Sequence, residues 1–288
     1  DLLLHSEMLD DGIGLLYSQP SAYAAKIPSA TTFGSFEGDH VAWHNNLRDL
    51  GLQFRYVTDR QLRLGEADLG RFKVFILPFT QALGPEEAEA LRRYVSDGGT
   101  LIADVRPGIC DGHCKQLPAG ALDEVFGIRR TAVAEAVNSD GSLRLTADGT
   151  TVELAAKLQV DPGVEAAAAS VGGAAGQTPL LLVHQFGRGR AVLLNFTMSS
   201  YPSLSAEGTD EAAATLLGAL LAQAGVRPAL SLQDAQGRRV RNVEVIRWQN
   251  GRYQIISVFR LQGQAEPARL VLPEEARLHD LKARRDLG

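Results

Sequence analysis

The densest group of side chains that could do chemistry lies between Asp104 and Cys114. Residues 110–114 are Cys-Asp-Gly-His-Cys, and thiolates and imidazole are the ligands that zinc prefers. The rest of the sequence offers no second set of ligands for such a site, however. Three ligands within one turn also make an awkward coordination geometry. We therefore interpret this stretch as a polar loop with two incidental thiols, and we predict neither a metal nor a cofactor.

Two charged residues, Asp104 and Arg106, leave one predicted strand with their side chains on the same face. They could form a carboxylate–guanidinium pair that faces a ligand, or an ion pair that pins the loop, and we favour the second. His40 and His44 are one helical turn apart, a spacing that can bind a metal, but no acidic residue is spaced with them. We interpret the two histidines as part of a solvated helix face.

Nucleophilic catalysis needs a reactive side chain at a sharp turn from strand to helix. After the predicted strand Val74–Leu77 that corner is Pro78-Phe79-Thr80-Gln81, which contains neither cysteine nor serine. Because this is where such a fold would place its nucleophile, we predict no catalytic residue. Residues 187–190, Gly-Arg-Gly-Arg, lack the lysine of a phosphate-binding P-loop and predict a tight hairpin turn instead.

The elements that must position these side chains centre on residues 73–108. Val74–Leu77 and Thr100–Ala103 are short, unbroken apolar runs, typical of strands that are buried on both faces of a parallel sheet. Between them, Pro85 suits the first turn of a helix, and residues 98–99, Gly-Gly, suit its end. This order predicts a right-handed βαβ unit, and we expect the first three-quarters of the chain to form an α/β layer sandwich around it.

Other apolar runs predict further strands of this sheet: Ile13–Tyr17, 54–57, 180–186 and 190–196. The last two form a hairpin whose second strand returns to the main sheet. Asp39 predicts the N-terminal cap of a helix that runs to Leu50, and Thr209 or Asp210 predicts the cap of a last helix that ends at Gly225.

In open α/β sheets, ligands bind beyond the carboxyl ends of the strands. The loops that arrive there are residues 18–21, 78–84, 104–117 and 197–203. Their polar side chains give the candidate ligand-binding residues Ser18, Gln19, Thr80, Asp104, Arg106, Asp111 and His113.

Two other stretches are β-rich. From about residue 131 to 178, short alternating segments separated by turn signals at 140–141, 148–149 and 161–163 predict small antiparallel strands or a β-rich insertion. After Arg227-Pro228 the pattern is purely β, with an Asn-Gly hairpin signal at 250–251. We therefore divide the chain into an α/β domain, residues 1–226, and a small β-sandwich-like domain, residues 227–288, for which no closing strand is obvious.

The composition sets limits on function. The 288 residues are 45% hydrophobic and 22% charged, the balance of a soluble globular protein. A net charge of −5 gives no basic footprint for nucleic acid, and no apolar run approaches the roughly 20 residues of a membrane helix. Two cysteines do not make a disulfide framework, so we expect a reducing, cytoplasmic location. Because the chain begins at Asp1, we expect that it was either processed or cut from a longer protein, and we favour the second.

Several segments together resemble the trimerisation domain of family 42 glycoside hydrolases, the bacterial β-galactosidases. The resemblance spans roughly residues 12–225 and rests on these segments: 51–57, 72–78, the run GPEEAEALRRYVSDGGTLIADVRPGICD, LPAGALDEVFGI at 117–128, and HQFGRGRAVLLNF at 184–196. It implies a flavodoxin-like fold of the class I glutamine amidotransferase type, a three-layer sandwich with a mainly parallel sheet. The C-terminal β segment is similar in character to the small β-domain that ends such enzymes.

The resemblance also implies that a catalytic (β/α)8 barrel of roughly 250 residues precedes this region and carries the acid and nucleophile glutamates. The chain has no room for such a barrel, so no catalytic glutamate is carried over. Amidotransferase relatives use a cysteine at the nucleophile corner, where this chain has Phe79-Thr80. Amidotransferase activity is therefore not expected.

Our leading hypothesis is a non-catalytic assembly and accessory region of a β-galactosidase-like glycoside hydrolase. It would mediate oligomerisation, with a homotrimer implied by the resemblance, and could wall part of a carbohydrate site. The alternative is a sugar- or small-molecule-binding module, or an enzyme, that uses the loops after the strands.

Overall fold

The computed structural model describes residues 3–27, 33–131, 136–147, 150–263, 267–273 and 275–287. The helices are α1 (Gln19–Ala24), α2 (Phe36–Asp49), α3 (Asp59–Arg63), α4 (Pro85–Ser96), α5 (Asp123–Phe126), α6 (Tyr201–Glu207) and α7 (Glu211–Gln223). The strands are β1 (Glu7–Met8), β2 (Ile13–Tyr17), β3 (Arg55–Thr58), β4 (Val74–Leu77), β5 (Thr100–Ala103), β6 (Ile128–Arg130), β7 (Val137–Ala147), β8 (Thr150–Val160), β9 (Val164–Ala166), β10 (Ser170–Ala175), β11 (Thr178–Phe186), β12 (Gly189–Leu194), β13 (Ser231–Gln233), β14 (Val243–Asn250), β15 (Tyr253–Arg260), β16 (Arg269–Val271), β17 (Leu278–Asp280) and β18 (Arg285–Leu287).

Within the described residues the main sheet has nine strands, in the order β3-β2-β4-β5-β12-β11-β10-β7-β8. The first five strands are parallel to one another. From β12 onward each pair is antiparallel. The predicted mixed α/β architecture is therefore confirmed, with parallel strands in one half of the sheet and antiparallel strands in the other.

The predicted βαβ unit is present as β4, α4 and β5. Pro85 opens α4, and Gly84 is its N-cap. Leu91 and Val95, on the predicted apolar stripe, are fully buried. Gly98 ends the helix with φ of +119°, a backbone conformation that glycine adopts without a Cβ penalty.

Helices cover both faces of the sheet because its central strands are apolar on both sides. In β4, Val74 and Ile76 point into a core shared with α2, α6 and α7. Phe75 and Leu77 point into a second core shared with α3, α4 and α5. Because successive side chains of a strand point to opposite faces of the sheet, both faces are apolar and a layer of helices packs on each.

Helix α2 begins earlier than the sequence pattern predicted. Its N-cap is Ser35, whose Oγ accepts a hydrogen bond from the Gly38 N–H at 2.9 Å. Asp39 is consequently inside the helix, and it is fully buried. The predicted cap was wrong because Ser35, four residues earlier, caps the helix instead. The Asp39 side chain therefore makes no cap and points into the protein interior.

The hairpin turn at residues 187–189 needs its glycines. Gly187 has φ of +58°, and a Cβ on Gly189 would lie 2.1 Å from the Val95 carbonyl oxygen. The turn thus packs against the end of α4, and β12 pairs in parallel with β5. Both the tight turn and the return of this hairpin to the main sheet were predicted correctly.

The β-rich stretch continues the main sheet. Strands β7 and β8 pair with each other over eleven residue pairs, and β10 joins β7 to the rest of the sheet. The turn predicted at 140–141 is wrong, since both residues lie inside β7. Long cross-strand pairing outweighs the local turn propensity of Asp-Gly there, whereas the signal at 161–163 does form the turn after β8. The signal at 148–149 lies outside the described residues.

The C-terminal strands are tied to the α/β part by buried polar contacts. The predicted hairpin forms from β14 and β15, and β1 pairs with the outer side of β14. Arg247 donates from its backbone N–H and from Nε to the Gln53 Oε1, both at 2.9 Å. Its Nη2 donates to Asp11 at 2.5 Å, and both side chains of this ion pair are more than nine-tenths buried.

No helix in the described parts of the chain combines the length and the apolar character needed to cross a bilayer.

Candidate functional site

The sharp turn after β4 carries an apolar side chain that belongs to the protein core. Phe79 has φ of +42°, in the left-handed region that bulky residues rarely adopt. Its ring is fully buried and packs with Ala25, Phe33, Phe36 and Val105. The turn is strained like the elbow of a nucleophilic enzyme, but an aromatic ring that faces the core stands where a nucleophile would be.

Thr80, a candidate ligand-binding residue, is fully buried beside this turn. Its hydroxyl donates to the Pro78 carbonyl at 3.1 Å, and its own carbonyl accepts from the Gly108 N–H at 2.8 Å. The next carbonyl, of Gln81, accepts from the Cys110 N–H at 2.9 Å. The loops after β4 and β5 are therefore joined through their backbones.

Ser18 has a structural role of the same kind. Its Oγ caps α1 by accepting from the Ser21 N–H, and it lies 3.3 Å from the Ala82 carbonyl, to which it donates. The Ser21 hydroxyl donates to Ser18 at 2.8 Å and accepts from the Ala82 N–H at 3.0 Å. Gln19, by contrast, presents an exposed side chain and uses its backbone N–H to hold Asp59.

Asp104 is fully buried at the end of β5. Its Oδ1 accepts from the Phe79 N–H at 2.7 Å, and its Oδ2 accepts from the Trp43 indole N–H at 2.8 Å. Burial raises the pKa of this carboxyl well above its ordinary value, and the neighbouring Asp39 carboxylate raises it further. Asp104 thus connects β5, the turn after β4 and helix α2.

Arg106 contacts a carboxylate other than the one expected. Its Nε donates to the Asp161 Oδ2 at 2.8 Å and its Nη2 to the Asp161 Oδ1 at 3.3 Å, with the guanidinium 4.4 Å from the centre of the Phe33 ring. The expected Asp104–Arg106 pair was wrong because the strand ends at Ala103 and Arg106 has φ of +59°. The alternation that would have placed both side chains on one face is lost there.

Asp161 is the centre of a buried ion network that reaches the β-rich stretch. Besides Arg106, it accepts from Arg130 at 3.3 Å and from the Gly163 N–H at 3.0 Å. Arg130 in turn donates to Asp123 at 3.0 Å. We call the buried side chains of Ser18, Asp39, Thr80, Asp104, Arg106 and Asp161 the carboxyl-edge layer.

The loop with the two cysteines is organised by Asp111. Its Oδ1 accepts from the backbone N–H groups of His113 at 2.8 Å and Lys115 at 2.9 Å, and these bonds lower its pKa. The His113 side chain is exposed. Burial raises the pKa of both thiols, Cys110 and Cys114, so neither has the character of a reactive thiolate. Among the described residues, no three His, Cys, Asp or Glu side chains are grouped to hold a metal.

One of the two histidines of α2 is not on a solvated face as was expected. His40 is only 7% exposed, with its ring 4.2 Å from that of Phe36 and 5.4 Å from that of Tyr17. Burial lowers its pKa to about 4, so it is neutral at physiological pH. The prediction was wrong for His40 because Tyr17, at the end of β2, covers this side of the helix.

Four of the seven candidate residues belong to the carboxyl-edge layer, and the other three have side chains that are partly or fully exposed. Ser18, Thr80, Asp104 and Arg106 donate to or accept from groups of the protein itself. The side chains of Gln19 and His113 are exposed, and that of Asp111 is partly so. A groove of about 520 Å³ lies at the opposite end of the sheet, before β4 and β5.

Sequence reasoning missed Ser21, Asp39, Trp43 and Asp161 at this edge. Asp39 and Asp161 had been assigned to a helix cap and a turn, which their types favour locally. No local pattern reveals that Asp161 meets Arg106, 55 residues earlier in the chain.

We expect Asp161→Ala to destabilise the fold strongly, because it leaves the guanidinium of Arg106 buried without its carboxylate. The side chains of this pair are 1% and 2% exposed, and removing one partner of a buried pair costs about 3–5 kcal/mol. Urea unfolding followed by circular dichroism measures the change.

The matched control is Glu165→Ala, which removes the carboxylate of the nearby but exposed Arg129–Glu165 pair. Exposed pairs are screened by solvent, so little change is expected. Equal effects of the two substitutions would contradict a special role for the buried network.

This chain is similar to parts of known β-galactosidases. The family model described as the β-galactosidase trimerisation domain matches residues 12–227. The β-galactosidase BgaH of Haloferax lucentense is 26% identical over 187 residues, which are 63% of this chain and 27% of that protein.

Solved β-galactosidases share the fold. The enzyme from Rahnella sp. R3 superposes with a TM-score of 0.69 at 15% identity, over 93% of this chain and 38% of that one. Gan42B, a GH42 β-galactosidase from G. stearothermophilus, superposes with a TM-score of 0.66 at 20% identity, over 96% of this chain and 38% of that one. The chain thus spans less than two-fifths of the length of these relatives.

The family match covers the whole α/β region, including the turn after β4, the carboxyl-edge layer and helix α7. It confirms the resemblance drawn from the sequence, and it does not favour the alternative of an independent sugar-binding module or enzyme. The chain belongs to the family of β-galactosidase trimerisation domains.

Proposed function

We propose that this chain is the assembly region of a β-galactosidase-like glycoside hydrolase and that it mediates formation of a homotrimer. The observation that carries the proposal is the match of residues 12–227 to a trimerisation domain. The carboxyl-edge layer supports it, since Ser18, Thr80, Asp104 and Arg106 are engaged within the protein. A module that bound its own ligand at this edge would keep such groups available.

The hydrolytic chemistry of the parent protein belongs, in this proposal, to a separate (β/α)8 barrel. This chain would contribute to the sugar site by forming part of its wall. Gln19, Asp111 and His113 suit that role, because they follow β2 and β5 in the chain and their side chains are partly or fully exposed.

We also propose that the α/β part has the flavodoxin-like topology of class I glutamine amidotransferases. Numbered along the chain, its five parallel strands have the spatial order 2-1-3-4-5, which is that of flavodoxin. The division into residues 1–226 and 227–288 belongs to the same proposal. The last helix, α7, ends at Gln223, and only strands follow it among the described residues.

The cytoplasm is the compartment that we propose for the protein. Cys110 and Cys114 are both free thiols although they are four residues apart, which suits a reducing environment.

A second copy of the chain fits the surface formed by α2 and the open edge of β3. Aromatic rings form two clusters there, with ring centres 4.2–6.4 Å apart within each cluster: Tyr17, Phe36 and His40 in one, and His44, Phe54 and Tyr56 in the other. Tyr17 is 42% exposed, Tyr56 46%, and Val41 on the outer face of α2 50%. We call Tyr17, Val41 and Tyr56 the α2–β3 patch.

The α2–β3 patch suits a subunit contact for two physical reasons. Exposed aromatic side chains bury much apolar area at little cost in entropy, and they are enriched at interfaces. In addition, β3 is the end strand of the main sheet in the described part of the chain, and no described strand pairs with its outer edge. In a cyclic trimer the patch of one copy would meet a different surface of the next.

Light scattering across a concentration series tests the assembly proposal. We expect the isolated chain to have a mass of three times 30.9 kDa, because the assembling surface is part of this chain. A mass of 30.9 kDa at every concentration would contradict self-association as an intrinsic property of the chain.

Substitution of the patch tests where the subunits meet. We expect the double variant Val41→Lys/Tyr56→Lys to shift the mass toward 30.9 kDa, because two charges would be desolvated at the contact. Tyr253→Lys is the matched control, since Tyr253 is 61% exposed on the C-terminal hairpin. If the wild type and the double variant are both trimeric, the assembly proposal stands but the α2–β3 patch is not the interface.

A further inference from the structure

Two carboxyl groups meet inside the protein at the carboxyl-edge layer. Asp39 belongs to the first turns of α2, and Asp104 follows β5 directly. Both side chains are fully buried. Asp39 lies one helical turn before Trp43, whose indole N–H donates to Asp104, so the two carboxyl groups approach each other on one face of α2, and each shifts the pKa of the other. Two ionised carboxylates in such a position would repel each other strongly, because little solvent screens them.

The hydrogen bonds around the pair account for three of its four oxygens. The two oxygens of Asp104 accept from the Phe79 N–H and the Trp43 indole N–H. The Asp39 Oδ1 accepts from the Met198 N–H at 2.9 Å. The Asp39 Oδ2 is buried and receives no N–H or hydroxyl donor in the described part of the chain. A proton on the Asp104 carboxyl would supply that donor, since a protonated acid donates one O–H.

The elements packed around the pair offer little positive charge to stabilise two carboxylates. On α2 itself, Glu37 is acidic and His40 is neutral at physiological pH. The turn after β4 and the loop around Met198 present uncharged residues at 78–80 and 197–199. Arg106, two residues beyond Asp104, directs Nε and Nη2 to Asp161. Among the described residues, the carboxylate of Asp39 is the charged group that raises the pKa of Asp104.

We propose that Asp39 and Asp104 share a single proton, and that this shared proton holds helix α2, the turn after β4 and the loop after β12 together. The pair joins these three elements directly: Asp39 reaches Met198, and Asp104 reaches Phe79 and Trp43. Loss of the proton leaves two repelling charges at the junction and loosens all three. The inference is independent of the assembly proposal.

The direction of the pH dependence follows from the two carboxyl groups. Burial raises the pKa of Asp104 well above its ordinary value, with the charge of Asp39 adding to the effect, and burial also raises the pKa of Asp39. A raised pKa in the folded state stabilises the fold fully below about pH 3.9, the pKa of an unfolded aspartate. That stabilisation is lost progressively as the pH rises toward the raised folded-state pKa.

Asp39→Asn in the full chain tests the shared proton. The amide oxygen of the substituted side chain still accepts from the Met198 N–H, and its NH2 group supplies a permanent donor to an ionised Asp104. Between pH 5 and 9 we expect the unfolding constant of the wild type to rise relative to that of the variant, by up to about tenfold per pH unit and at least about tenfold in total. Urea unfolding at each pH measures the ratio, and a ratio independent of pH would overturn the proposal.

Two further measurements make the test specific. Asp97→Asn, at an exposed aspartate, should leave the pH dependence of the wild type unchanged. Carbon-13 NMR of the aspartate carboxyl groups in the wild type reports protonation directly and does not depend on how a variant folds. We expect one buried aspartate carboxyl to remain protonated at pH 7, and complete ionisation of all of them at that pH would overturn the proposal.

Discussion

The Asp104 carboxyl, buried where β5 ends, accepts hydrogen bonds from the backbone of the turn after β4 and from the indole of Trp43 in α2. The bond to the Phe79 N–H fixes a backbone conformation that a bulky residue does not adopt by itself. With that turn fixed, the Phe79 ring lies under α1 and α2, and the carbonyls of Thr80 and Gln81 hold the next loop. The turn after β4 and its contacts with α2 therefore depend on this one carboxyl group.

The buried ion network completes the same edge from the other side. Arg106 and Arg130 converge on Asp161 and bring the turn after β8 against the loop after β5. Buried ion pairs add little net stability compared with apolar packing, but breaking one is costly. The network thus favours a single arrangement of the loops. An edge closed in this way suits a rigid assembly domain, whose parts must keep their positions when subunits meet.

Much of the fold follows from local sequence, because the relevant signals lie close together. Apolar runs such as Val74–Leu77, the proline that opens α4 and the Asn-Gly turn before Tyr253 act within a few residues, and each gave a correct element. The candidate site was harder, since its contacts join residues far apart. Arg106 was expected to meet Asp104, but one left-handed residue redirected it to Asp161. Likewise, the burial of Asp39 depends on where α2 begins, which Ser35 decides.

The carboxyl edge is a closed, structural part of the protein. Hydrogen exchange of the Phe79 amide tests it most directly, because that N–H is bonded to the buried Asp104 carboxyl rather than to a neighbouring strand. If the edge is closed, the Phe79 amide exchanges as slowly as the amides of the central strand β4. Exchange as fast as that of the exposed turn at residues 251–252 would mean that the edge opens readily and is not a closed part of the structure.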